Sequence, residues 1–369
     1  MLEKYLDKLY NCSRCGICRH WGWNGVEDVC PVYKHTTQYE TEYTRGRVKL
    51  ARQLAEKQLE PSELMAKHIL ECTLCGRCEV CCPCDVPIHE AFQAMRTDLA
   101  EQGYTLPVYQ KTAETIATEH NPYGPAAEKP EPRELNENAK VLYFPGCTIN
   151  RRACEIGKNI ESVFRKLGIA YNVYTEDTCC GFPLYDMGLT KGMKEAAELT
   201  LKNFERYHPD IIVTSCPGCL KAIRDLWKEL GLKHDYLVMD ISEFLLPKLK
   251  DRLKEKNLVV TWHDPCVLGR HLGDYETPRD VIRSIPGVQL EEMAEHHDKA
   301  ACCGAGGAVM SGFYKLAQEV GKDRVDQALQ TGAEEILTSC PTCYLNLGRA
   351  ARKENIKVRY ITDLLDEVL

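Results

Sequence analysis

Any chemistry in this sequence has to start from its thiols, because 21 of the 369 residues are cysteine. They fall into two groups, ten between Cys12 and Cys84 and eleven from Cys147 to Cys343, with none between. The N-terminus, MLEKYLDKLYNC, is charged throughout and offers no apolar run of the kind a secretory leader carries. That reading places the chain in the cytoplasm, where disulfides are rare and clustered thiols serve as metal ligands.

In the first group, Cys72, Cys75, Cys78 and Cys82 stand in the order CxxCxxCxxxC and are followed by Pro83. By this spacing a bacterial ferredoxin loop wraps three thiolates around one cubane and sends the fourth to its neighbour. A mate begins at Cys12, Cys15 and Cys18, and Cys30-Pro31 supplies its fourth thiol after an eleven-residue insertion, RHWGWNGVEDV. Crossed ligation then assigns Cys12, Cys15, Cys18 and Cys82 to one [4Fe-4S] cluster, and Cys72, Cys75, Cys78 and Cys30 to another. Zinc sites also use CxxC pairs, but three ligands within seven residues suit the face of a cluster better than one ion. Cys81 competes with Cys82 as fourth ligand, and the proline after Cys82 favours the latter. Cys81 and Cys84 are read as buried thiols near the cluster.

The second group repeats itself. Cys147, Cys179-Cys180 and Cys216-Pro-Gly-Cys219 recur about 120 residues later as Cys266, Cys302-Cys303 and Cys340-Pro-Thr-Cys343. IIVTSCPGC matches EILTSCPTC, and both halves contain CCG, so an internal duplication is the simplest account. Each half offers five thiols where a cubane needs four. Two adjacent cysteines can hardly reach separate corners of a compact cube without strain, yet they readily bridge neighbouring irons of an opened one. The spacing therefore points to a non-cubane assembly in each half. Cys154 stands outside these motifs and is read as a core thiol.

These thiols need elements to hold them. ARQLAEKQLEPSELMAKHILEC and VPIHEAFQAMRTDLAEQG have helical spacing of apolar residues, so residues 1–103 form a mostly helical domain around the first group. Residues 104–139 turn to Pro, Glu, Asn and Ala, which reads as a solvated linker. Beyond it short β-rich runs alternate with helical ones: VLYFPG, a helix over 151–167, YNVYTE, IIVTS, LVVTWHDPC, PRDVIRSI, VQLEEMA and EEILTSC. The expected class is α+β and multidomain, with a helical two-cluster ferredoxin domain followed by two duplicated α/β domains, 140–256 and 257–369, built on mainly parallel sheets. The cysteines fall at ends of strands, where such sheets place their sites.

The order Cys, CCG, CxxC, twice over and after a two-cluster ferredoxin domain, resembles the catalytic subunit of heterodisulfide reductase in its fused form. HDPCVLGRH (263–271), ETPRDVI and CCGAGG (302–307) are close to that family's wording. The resemblance covers nearly the whole chain. It implies a non-cubane [4Fe-4S] cluster on each set of five cysteines, and a disulfide cleaved with one sulfur captured at each. It also implies a flavoprotein donor, with a ferredoxin or a membrane cytochrome as further partners. The family includes electron-transfer subunits of lactate, glycolate and glycerol-3-phosphate dehydrogenases and of electron-bifurcating complexes. One departure matters: where disulfide-cleaving members usually carry histidine after the first cysteine of the second motif, this chain has Val267, which holds no proton. An acid there must be His263, His271, water or another group.

The remaining signals exclude more than they assert. No stretch approaches the ~20 apolar residues of a membrane-spanning helix, so a membrane is reached only through a partner at its inner face. The net charge of −7 is spread evenly and leaves no footprint for nucleic acid. GAGG after Cys303 lacks the preceding strand and the lysine of a phosphate loop, so its glycines read as room for backbone beside a cluster. His296 and His297 cover a loop. Without a GxGxxG fingerprint, no flavin or nicotinamide site is expected. The leading expectation is an anaerobic electron-transport subunit that reduces a disulfide. Its rival is a non-catalytic relay between a dehydrogenase or bifurcating flavoprotein and a quinone or ferredoxin, which Val267 favours. A zinc-binding scaffold is the third reading.

Overall fold

The computed structural model describes residues 1–20, 28–125 and 133–369. Most of the RHWGWNGVEDV insertion and part of the 104–139 stretch thus lie outside the described residues.

Two four-stranded parallel sheets carry the second cysteine group. The first has strands β1 (Val141–Phe144), β2 (Tyr171–Val173), β3 (Ile211–Thr214) and β4 (Leu237–Asp240) in the order β2-β1-β3-β4. The second has β5 (Leu258–Trp262), β6 (Val288–Leu290), β7 (Glu335–Thr338) and β8 (Lys357–Tyr360) in the corresponding order β6-β5-β7-β8. Central strands of a parallel sheet are covered on both faces, so they read as unbroken apolar runs, and β7 is buried at every residue. The order of strand addition reverses between β1 and β3 and again between β5 and β7, leaving a crevice beyond their carboxyl ends. Cys147 and Cys216 follow the first pair, Cys266 and Cys340 the second.

The helix expected over 151–167 is two helices, Gly146–Arg152 and Cys154–Leu167, broken at Ala153 (φ −143°, ψ 45°). The second buries Ile156, Ile160, Val163 and Phe164, a stripe spaced by three and four residues, and stops at Gly168 in a left-handed conformation. The helix that carries Cys219 begins at Pro217, because proline lacks the N–H that a first helical residue leaves unused.

The N-terminal part is helical, with Thr44–Ala55, Glu63–Leu70 and Ile88–Glu101 as its longest members. The described residues of 104–139 include buried anchors that a solvated linker would lack. Among them is the helix Pro107–Glu119, which buries Tyr109 and Ile116, and the Tyr109 hydroxyl donates to the Ala308 carbonyl at 3.0 Å. Asn121 is wholly buried and its amide reaches Asp177 at 3.1 Å. A few well-placed anchors outweigh a polar average.

One core joins the halves: Tyr143, Phe164 and Ile241 from the first pack in a single cluster with Trp262, Leu337 and Leu364 from the second. Tyr360 fixes their register. Its hydroxyl lies 2.5 Å from the Ser215 carbonyl and 2.7 Å from that of Ser339, the residues just before Cys216 and Cys340. Tyr360→Phe leaves both buried carbonyls without this donor, which costs about 1–3 kcal/mol. The expected result is a lower denaturation midpoint for the anaerobic protein, and an unchanged midpoint would show that the hydroxyl carries no weight.

Candidate metal centres and the cavity between them

The two ferredoxin-like loops share one backbone. In Cys12-Ser-Arg14-Cys15-Gly16 and Cys72-Thr-Leu74-Cys75-Gly76, the third and fifth residues are left-handed: φ is 62° and 84° in the first loop, 50° and 75° in the second. Holding Arg14 and Leu74 there costs roughly 1–2 kcal/mol each. Such alternation turns successive amide N–H groups into a concave nest suited to an anionic group. Cys30, Cys72, Cys75 and Cys78 line one small cavity, closed by Thr44, Arg47 and Phe92. Burial, with the neighbouring Cys30, Cys12 and Cys15, pushes the Cys18 thiol up to about 12. The turn carrying Cys82 and Cys84 lies against the other loop, with Cys84 Sγ 3.4 Å from Ser13 Oγ.

In the second group each set of five thiols forms a connected chain in the same order. Cys147 meets Cys179, which meets Cys180, and Cys180 Sγ lies 3.4 Å from Cys219 Sγ, beside Cys216. In the other half Cys266 meets Cys302, then Cys303, Cys343 and Cys340. All are free thiols. Hydrogen bonds from its neighbours lower the second thiol of each vicinal pair, Cys180 by Cys179 and Cys219, Cys303 by Cys302 and Cys343. By contrast Cys147 and Cys266 are raised, first by hydrogen bonding to the vicinal pair and then by burial. Five neighbouring sulfurs, four of them buried in each half, would repel one another as thiolates, so the set fits a cationic iron assembly that offsets their charge. Backbone room is provided too. A Cβ on Gly146 (φ +76°) would lie 2.9 Å from Cys219 Sγ, a contact no side chain tolerates.

Cys75 belongs to both neighbourhoods. It hydrogen-bonds with Cys302 and packs with Cys266 and Val267, while Arg270 Nε donates to its carbonyl at 2.6 Å. The second ferredoxin-like loop therefore touches the second five-thiol set, with no protein layer between them.

A cavity of about 190 Å³ lies where the two sets face each other. Cys147 and Cys216 open onto it from one side, Cys266, Cys303, Cys340 and Cys343 from the other. Its remaining wall is mostly apolar, with Phe182, Met187 and Met310, and carries a few polar groups. The two histidines singled out from sequence are placed differently. His271 lines the cavity, stacked on His89 with ring centroids 4.5 Å apart, and its Nε2 is buried without a hydrogen-bond partner. Burial holds its pKa well below the ordinary value. His263 lies behind the second set, where a ring nitrogen comes within 4.8 Å of the Cys303 and Cys343 sulfurs. Its Nδ1 accepts from Arg324 Nε at 3.1 Å, which leaves Nε2 as the N–H side, and burial followed by the Arg324 charge keeps the ring neutral. Phe144 occupies the corresponding place, three residues before Cys147, so the halves differ here.

Asp264 is a structural group: Arg279, fully buried, pairs with it at 2.6 and 2.9 Å, and Trp262 Nε1 donates to it at 3.1 Å. Two minor expectations fail. Cys154 is exposed at the start of its helix, and Cys84 is half-buried, whereas Cys81 is buried as expected. His89, Asp186, Lys221 and Tyr123 also line the cavity and carry no sequence signal, since they come from four separate segments. No helix among the described residues is long and apolar enough to cross a membrane.

Comparison with known proteins agrees with this layout. The 4Fe-4S dicluster domain family matches residues 8–86, and the cysteine-rich domain family CCG matches twice, at 141–224 and 260–348. The chain is 33% identical to a subunit of the dihydromethanophenazine:CoB–CoM heterodisulfide reductase of Methanosarcina acetivorans, over 99% of this chain and 95% of that protein. It is 29% identical to a subunit of the fumarate reductase (CoM/CoB) of Methanothermobacter marburgensis, over 99% and 73%. It is 25% identical to the EtfAB:quinone oxidoreductase of Syntrophomonas wolfei, over 98% and 58%.

Proposed function

We propose, from the premise that the chain belongs to the family of these heterodisulfide reductase subunits, that it is the iron–sulfur subunit of an oxidoreductase complex in which a disulfide is reduced between the two five-thiol sets. The observation that supports this most is the cavity onto which cysteines of both sets open. In this reading residues 1–103 receive electrons from a flavoprotein partner through cubane clusters on Cys12, Cys15, Cys18 and Cys82 and on Cys72, Cys75, Cys78 and Cys30. Residues 140–256 and 257–369 each hold a non-cubane [4Fe-4S] cluster on their five cysteines. When bound, these clusters supply single electrons and soft metal sites for sulfur. The chain's own residues enclose the disulfide and exclude water, and through the Cys75–Cys302 contact they set the second half next to the point of electron entry. His271 faces the cavity, and His263 presents its unpartnered Nε2 beside the second set.

Val267 favours a second reading. It sits on the cavity wall and holds no proton, as suits a relay that passes electrons on to a quinone or ferredoxin without sulfur chemistry. One experiment separates them. The anaerobically reconstituted chain, given reduced methyl viologen and CoB–CoM heterodisulfide, is expected to oxidise viologen in proportion to disulfide and to show a paramagnetic signal only with added thiol. A chain holding about sixteen irons with no turnover under these conditions would support the relay instead.

A further inference from the structure

We propose that Asp186 delivers the proton to a thiolate leaving in the cavity, a role that rests on the disulfide-reduction reading. Asp186 closes the short helix Phe182–Asp186, six residues after Cys180, and lines the same cavity as Cys147, Cys216, Cys266 and Cys303. The backbone N–H groups of Gly307 and Ala308, at the end of the CCGAGG stretch, donate to its carboxyl. The nearest cation is already committed elsewhere. Arg96 Nη1 donates to the carbonyls of Asp186 (2.6 Å) and Gly307 (2.8 Å), Nε to Ile69, and Nη2 to Ile69, Leu70 and Cys72. None of these hydrogen bonds reaches the carboxylate oxygens. Arg96 and the two N–H groups favour the carboxylate, but burial outweighs them and pushes the carboxyl up to about 7.

The other charged or titratable groups around it do not replace it. Tyr109 faces it from the helix Pro107–Glu119 and gives its proton to Ala308, and Tyr185 is its chain neighbour. Across the cavity, Lys221 lies 3.5 Å from Asp225, His89 Nδ1 lies 3.0 Å from Glu79, and His271 is held neutral. Reduction of RS–SR′ takes two electrons and two protons to give RSH and R′SH. The electrons come from a reduced one-electron carrier and enter the S–S bond as it breaks. The carboxyl O–H of Asp186 gives its proton to one departing sulfur, becomes carboxylate and is reprotonated by water, while the second proton comes from solvent.

The test uses the reconstituted full chain with reduced methyl viologen and CoB–CoM heterodisulfide. Asp186→Asn is expected to lower kcat about 100-fold or more with little change in KM. The wild-type fall in rate as pH rises past about 7 disappears in that variant, since a donor works only while protonated, and Asp186→Glu restores part of both. Infrared difference spectra of chain labelled with ¹³C-aspartate should show a protonated carboxyl band that titrates near 7 and is absent from Asp186→Asn. If Asp186→Asn fails to hold iron, the wild-type band and the Asp186→Glu profile decide. An active wild type with an unchanged Asp186→Asn rate and pH profile, or no such band, overturns the proposal alone. A wild type without turnover overturns the disulfide reading and the donor role with it.

Discussion

Cys302→Ser together with Cys303→Ser is expected to abolish turnover and to remove about a quarter of the chain's iron. Cys302 touches Cys266, Cys303 and Cys75, so it lies at the junction of the second five-thiol set and the ferredoxin-like loop. A hydroxyl is a harder donor than a thiolate and far less acidic, so serine at these positions holds iron poorly. Cys179→Ser with Cys180→Ser should lose a similar share of iron, because the first set is connected in the same order. Cys81→Ser is the control. Cys81 is buried but lies outside both five-thiol sets, so its loss should leave the iron in place. Iron analysis and viologen oxidation on the purified anaerobic variants check this. Full iron and full turnover in the Cys302/Cys303 variant would remove the second half from the list of metal centres.

The thiols were legible because ligand spacing is a local property, and no tertiary fact is needed to see that CxxCxxC curls around one object. Strands β1, β3, β5 and β7 were legible for a related reason, since central parallel strands must be apolar on both faces. Their neighbours β4 and β8 went unread. Both are short edge strands: β8 (KVRY) alternates charged and apolar residues, and β4 (LVMD) is three apolar residues closed by a charge, too short a run to stand apart from a helical segment. The helix Pro107–Glu119 hid because only Tyr109 and Ile116 anchor it within a Thr- and Glu-rich stretch. Cys154 was misplaced because the helix period starting at Ile156 puts it outside the buried stripe, a detail that composition ignores. The cavity could not be read at all: Asp186, His89 and Lys221 are ordinary residues until the fold sets them around one space. Asp264 depends on the fold in the same way, since its structural role rests on Arg279, fifteen residues away and itself unremarkable in sequence.

Arg96→Met is expected to be the most damaging single change to stability. Arg96 is 1% exposed, and its guanidinium fork ties together three segments: the turn of Ile69, Leu70 and Cys72, the carbonyl of Asp186, and that of Gly307. Methionine fills a similar volume but donates nothing, which leaves five buried carbonyls short of a partner at about 1–3 kcal/mol each. These terms are not additive. Even so, a loss of about 5 kcal/mol or more is expected, a large part of a usual ~5–15 kcal/mol stability. Arg96→Lys keeps the charge but has three donors without the planar fork, so it should fold with a lowered denaturation midpoint. The junction has little slack, because a Cβ on Gly307 would already lie 2.6 Å from the Cys72 carbonyl oxygen. Loosening it separates the ferredoxin-like loop from the CCGAGG stretch, so Arg96→Lys should slow viologen oxidation while its iron content stays full. A midpoint for Arg96→Met within about 1 kcal/mol of wild type would show that the segments are held by packing alone.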